Sequence, residues 1–226
     1  MTKLYGIAEF HPEILMIQAV TELNPLNYNF ITEKVKNLMT GGLHGAAFDE
    51  IGDLIEGIQN KKNMDLSRQI DLVRMAAQIV YTENNLIRQH KPDVVYIEDF
   101  LDLSRSTNPE HALSPSIKDV GADTVFLGFP EGYEKRFMPL ANIVNNDPNT
   151  NDDPLLKAKF KEVFEEKDYM WVPILERDIR NRGGTGMIVA GAYHLVEDSG
   201  FSGLTSKLLA DKDLPVNIIY HNKYQG

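Results

Sequence analysis

Lys91-Pro92-Asp93-Val94-Val95-Tyr96-Ile97-Glu98-Asp99 is the stretch on which the fold turns. Proline lacks an amide proton and crowds the turn before it, so Pro92 stops the helix upstream. That helix is predicted from about Asp65–Ser67 to about His90, with Ile70, Val73, Ala77, Val80 and Ile87 at helical spacing. After Pro92, Val94–Ile97 is apolar at every position instead of alternating, the mark of a strand covered on both faces. A helix feeding such a run is the βαβ arrangement of a parallel sheet. Two acids, Glu98 and Asp99, then stand where the strand ends.

The same grammar recurs on either side. Leu4-Tyr5-Gly6-Ile7-Ala8 runs into Glu9 and His11, and Met187–Ala190 runs through Gly191-Ala192-Tyr193 into His194. Further strands are expected at Thr124–Leu127 and Val216–Tyr220. Helices are expected after Pro12, from Phe30 to Met39, from Asp49 to Ile58, from Lys157 to Glu166, over Ile174–Arg182 and near Leu204–Ala210. Asp102 to Lys118 reads as loop with a short helix. The expectation is a single α/β domain over residues 1–226, its central, mostly parallel sheet flanked by helices, with a flexible loop near 145–153.

Composition narrows the partners. A formal charge of -10 argues against nucleic acid, because phosphate binding wants a basic surface; Arg177, Arg180 and Arg182 form the one tight basic cluster. The chain has no cysteine, which removes disulfides, thiolate metal sites and cysteine nucleophiles. No run reaches the roughly 18 apolar residues of a membrane span, and Met1–Tyr5 enters a strand without a leader pattern. A cytoplasmic protein is the expectation.

Ligands of open α/β sheets bind beyond the carboxyl ends of the strands, so the three charged endings are expected to converge on one site. Glu9 and His11, two apart on an extended chain, face the same side; carboxylate plus imidazole suits Mn, Co, Zn or Fe, or a general-base pair. The plainer reading of Glu9 is a favourable charge at a helix N-terminus, with His11 on the surface. Glu98 and Asp99 equally suit salt bridges at the following turn, and His194 a satisfied core imidazole. Arg177-Asp178 is either an ordinary exposed ion pair or, given Val172-Pro173-Ile174-Leu175 before it, a partly buried arginine placed to orient a carboxylate or hold an oxyanion. Gly183-Gly184-Thr185-Gly186 lacks the lysine and spacing of a phosphate loop, and Gly200-Phe201-Ser202-Gly203-Leu204 lacks the final glycine of a nucleophile elbow. His90 complements a helix C-terminus, and His44 has no assigned role.

Three of these segments, in order, resemble the TraB/Tiki-type superfamily, with erythromycin-esterase-like and ChaN-like haem-uptake proteins as relatives. Lys91–Asp99 resembles its rPDvVfvEl strand, Leu175-Glu176-Arg177-Asp178 its ERD helix start, and Met187–Leu195 its second G-x-x-H strand. At the first motif the chain departs. Gly6-Ile7-Ala8-Glu9 puts glutamate where Tiki-type proteins carry histidine, while Ala8-Glu9-Phe10-His11 is similar to the GE-x-H of the other branches. The resemblance implies a metal-dependent hydrolase cleaving a peptide, ester or lactone bond by activated water. Glu9, His11, Glu98 and His194 would be the metal ligands, and Glu9, Glu98, Arg177 and His194 the catalytic groups. The ChaN-like alternative implies a haem or iron-compound binding protein without catalysis, with Tyr193, His194 or His11 as axial ligands.

Overall fold

The five apolar runs expected as central strands form one sheet in the computed structural model, which describes residues 2–9, 66–98, 113–146, 153–198 and 201–221. The expected helices after Pro12, at Phe30–Met39 and at Asp49–Ile58 lie outside the described residues, as do His11, His44 and Asp99. The elements in chain order are β1 (Lys3–Glu9), α1 (Leu66–His90), β2 (Val94–Glu98), α2 (Ser114–Val120), β3 (Asp123–Leu127), α3 (Tyr133–Asn146) and α4 (Pro154–Arg182). They continue with β4 (Thr185–Gly191), α5 (Ala192–Leu195), β5 (Glu197–Asp198), β6 (Phe201–Ser202), α6 (Leu204–Ala210) and β7 (Val216–His221).

The sheet is parallel throughout, in the order β3-β2-β4-β1-β7, and helices flank it. Register is regular between β2 and β4, where Val94 faces Gly186 and Ile97 faces Val189. Between β1 and β7 it shifts once, at Gly6/Ile7. Alternate residues of β1, β2 and β4 are buried on both faces, as expected of continuous apolar strands. From the carboxyl end of β2 the chain moves outward to β3; from that of β4 it moves the opposite way, to β7. The crevice between those two strand ends is therefore a topological switch point.

By internal contacts the chain divides into two compact units. The first holds Met1–Ala8, Val94–Thr107 and Thr124–His221; the second holds Glu9–Asp93, Asn108–Asp123 and Asn222–Gly226. In the second, α1 packs on α2, Arg88 pairs with Asp119 at 2.9 Å, and Gly121 closes α2 in the left-handed conformation. The first carries a core in which Leu4, Val94, Tyr96, Ile188 and Ala190 of the sheet meet Trp171, Val172, Leu175 and Ile179 of α4 and Leu209 of α6.

Two differences from the expected helices matter for the site. Lys157–Glu166 and Ile174–Arg182 are parts of one helix, α4, which runs unbroken through Pro173. The Asp153 side chain accepts from Leu155 N at its start, and Pro154 occupies its first turn, where no amide is missed. The phenol of Tyr96 donates to Asp178 at 2.9 Å, tying the far end of α4 to β2. The second difference is α3, for which no helix was expected; it takes in Asn145 and Asn146, and Asp153 caps α4, while residues 147–152 of the expected loop lie outside the described residues.

Candidate functional site

Glu98 is the last residue of β2 and His194 the third of the short helix that follows β4, so each stands at one lip of the switch point. Both are buried, and His194 is only 2% exposed. His194 Nε2 lies 3.5 Å from Glu98 Oε1. The other carboxylate oxygen, Oε2, accepts from Gly191 N at 2.8 Å, which fixes the Glu98 side chain across the two strand ends.

Helix α4 supplies the other half. Its buried face follows helical spacing through Val163, Lys167, Trp171 and Leu175, with Asp168 and Val172 beside them. Lys167 (4% exposed) and Asp168 (0%) thus enter the interior as charged residues on an apolar stripe. Both oxygens of Asp168 lie 3.0 Å from His194 Nδ1. Asp168 Oδ1 also accepts from Thr205 N at 3.1 Å and from the Thr205 hydroxyl, at the start of α6. The Lys167 ammonium donates to Glu98 Oε1. The result is a buried chain of four groups: Asp168, His194, Glu98 and Lys167.

Aromatic rings enclose it. Lys167 Nζ lies 5.2 Å from the ring centres of Phe129 and Trp171 and 5.6 Å from those of Tyr133 and Phe164. The Trp171 ring is 4.7 Å from that of His194, and its indole N–H donates to Gly128 O at 2.8 Å. The Gly128-Phe129-Pro130 turn after β3 thus holds Trp171 by its carbonyl and walls in the ammonium with a ring. Tyr193 turns its ring to Phe164 at 5.0 Å, outside the chain of charges.

Burial by itself disfavours an imidazolium at His194, but the Glu98 charge and the hydrogen bonds to Asp168 and Glu98 outweigh it. The His194 pKa is therefore held above its ordinary value, against the opposing charge of Lys167. With His194 protonated, two carboxylates, one ammonium and one imidazolium sum to zero, the arrangement a low-dielectric interior tolerates best. Burial, then the Glu98 charge, push the Tyr133 phenol well above the ordinary tyrosine range, so it stays a neutral wall.

Of the residues expected from the sequence, the structure brings Glu98 and His194 together. Glu9 ends β1 and is buried. Arg177 stays on the exposed face of α4, ten residues beyond Lys167, or about 15 Å along the helix axis at 1.5 Å per residue. Partial burial was expected for it, but the apolar Val172 and Leu175 before it point to the other face of the helix. Its neighbours Arg180 and Arg182 pair with Glu176 and Asp178 one turn back, so the basic cluster is largely neutralised.

The two expected ligands that the structure brings together are already engaged by other groups. Glu98 Oε1 faces an ammonium, Oε2 an amide, and His194 Nδ1 a carboxylate. Among the described residues no group of three or more His, Cys, Asp or Glu side chains is set to hold a metal, and no helix is long and apolar enough to cross a membrane. Lys167, Asp168 and Thr205 escaped the sequence reading. The available signal was a Lys-Asp pair on the apolar stripe Val163/Phe164–Trp171/Val172–Leu175. Comparisons of the chain with protein-family models, with curated proteins and with solved structures return no match.

Proposed function

We propose that this chain is a hydrolase that cleaves a peptide, ester or lactone bond with water, using Glu98 and His194 as an acid–base pair. One observation carries the reading: a histidine oriented by a buried carboxylate at Nδ1 presents Nε2 to a second carboxylate, at a switch point of the sheet. Despite burial, the Glu98 charge and the hydrogen bond to Asp168 favour the imidazolium more than in a free histidine, which suits His194 to the part of the acid. Glu98 takes a proton from water as its oxygen bonds to the substrate carbonyl carbon. His194 protonates the leaving oxygen or nitrogen as that bond breaks. The proton on Glu98 then returns to His194 across the 3.5 Å between them, restoring the resting array. Lys167 supplies a fixed positive charge beside Glu98 for the developing oxyanion, the part expected of Arg177 from the sequence.

The TraB/Tiki-type kinship stays part of the proposal, supported by the meeting of its matched glutamate and histidine. The expected Mn, Co, Zn or Fe requires Lys167 to leave, because two cations do not share one buried carboxylate oxygen without a large repulsive cost. The haem alternative wants an exposed histidine beside an apolar groove, whereas His194 is buried with both nitrogens facing carboxylates.

The test is a panel of p-nitrophenyl esters, γ- and δ-lactones and fluorogenic peptides, assayed with the full chain and with Glu98→Gln and His194→Asn. The expected result is turnover of one class, with losses of about 100-fold or more in both variants. Absence of turnover across the panel, or turnover indifferent to both changes, refutes the reading.

A further inference from the structure

We infer that the Lys167 ammonium is the resident cation of this site, seated in a receptor for an organic ammonium where a divalent ion would otherwise bridge Glu98 and His194. The inference deepens the hydrolytic reading and rests on it for the working roles of Glu98 and His194. Its readouts, metal content and stability, involve no hydrolysis, so either can fail alone.

Lys167 reaches the site from the middle of α4, on the apolar face between Val163 and Trp171. Its side chain is 5% exposed, that of Glu98 1%, and the ammonium donates to Oε1. The rings of Phe129, Tyr133, Phe164 and Trp171 surround Nζ within 5.6 Å, and their negative faces attract a cation. Rings supply no ligand to a metal ion, which needs nitrogen or oxygen donors at about 2.0–2.2 Å. The polar edge of Trp171 is already turned away to Gly128 O. One carboxylate within a box of rings is the chemistry that recognises an alkylammonium, not a hydrated dication.

The charge count makes this cation necessary. Glu98 and Asp168 bring two negative charges into the interior, and His194 lies between them. Without Lys167, the single imidazole between them can offset one carboxylate at most, and the other is left uncompensated. The lysine therefore holds Glu98 in place and completes neutrality, as a bound metal does elsewhere, but through a tether that cannot dissociate.

Three measurements test this. Elemental mass spectrometry of the purified full chain, after incubation with Mn, Co, Zn and Fe(II), should find less than a tenth of an ion per chain that depends on Glu98. Lys167→Ala removes the atoms of propylammonium, so propylammonium should raise its melting temperature by a few degrees, with propanol ineffective and the unaltered chain indifferent to both. If Lys167→Ala does not fold, Lys167→Met is compared with the double variant Lys167→Met/Glu98→Gln. Removing the stranded carboxylate should then return stability lost in the single variant. Near-stoichiometric metal in the unaltered chain that Glu98→Gln abolishes overturns the inference. So does equal response to propylammonium and propanol, or a double variant less stable than the single one.

Discussion

Asp168 offers the most searching test of the buried array, because two substitutions there separate charge from hydrogen bonding. Asp168→Ala removes the acceptor for His194 Nδ1, for Thr205 N and for the Thr205 hydroxyl at once. It leaves an imidazolium and two donors buried without that partner. Breaking a buried charged pair costs about 3–5 kcal/mol, and stranded donors lie within that range, so about 4 kcal/mol is expected. Asp168→Asn keeps an oxygen for both Thr205 donors. Its amide donates to an unprotonated Nδ1, so the imidazole becomes neutral and the cost falls to about 1–2 kcal/mol. Trp171, the chain's one tryptophan, lies tilted against His194 and reports unfolding in urea from within the site. With a slope of about 3 kcal/mol per molar urea, the midpoint drops by about 1.3 M for alanine and about 0.5 M for asparagine. A loss below about 1 kcal/mol for Asp168→Ala refutes the array as a stabilised unit. Equal losses for both variants refute the assigned hydrogen bonding.

The remaining expectations concern pH and three local features. His194 has its pKa raised in the folded chain, so its stabilising contribution is complete below the ordinary value of about 6.5 and is lost as pH rises through the folded value. Urea unfolding should show stability declining above about pH 6.5, and a His194→Asn variant that keeps the same decline removes this assignment. Gly203 has φ +56° and a side-chain carbon there would come within 2.7 Å of Glu197 N, so Gly203→Ala should cost about 1–3 kcal/mol and speed amide exchange at the start of α6. Exchange unchanged at Thr205 contradicts this. Arg177→Ala should alter stability by less than about 0.5 kcal/mol, as for exposed positions, and leave any hydrolysis intact; a tenfold loss of rate would restore the role expected from the sequence. Asp153→Ala should cost about 1 kcal/mol through the lost cap at Leu155 N, read by thermal unfolding.

How much of the site was legible depends on the kind of element carrying each group. Glu98 closes one continuous apolar run and His194 follows another by three residues, where an ionisable group interrupts the apolar pattern and is conspicuous. Lys167 and Asp168 sit inside a 29-residue helix at the end of a run charged at Lys157, Lys159, Lys161, Glu162, Glu165 and Glu166, and only their position relative to Val163, Trp171 and Leu175 distinguishes them from a solvated face. Reading Lys157–Glu166 and Ile174–Arg182 as separate helices left the middle of that stripe unassigned and hid its length. Arg177 was favoured by its apolar lead-in, but on a helix the residue two beyond Leu175 points away from Leu175's face.

The sequence by itself determined the parallel sheet, because five apolar runs separated by helical periodicity and turn residues admit few other arrangements. It also determined that carboxylates and a histidine close those strands, since residue order alone sets which side chains come after each run. Tertiary structure alone decided which strand ends are neighbours. The chain visits β2 and β4 with α2, β3, α3 and α4 between them, and only the order β3-β2-β4-β1-β7 sets Glu98 beside His194. It likewise decided that Lys167 and Asp168 are interior charges. A helix places a residue by its rotation about the axis, and which side of α4 faces the switch point is set by packing Trp171, Val172 and Leu175 against the sheet.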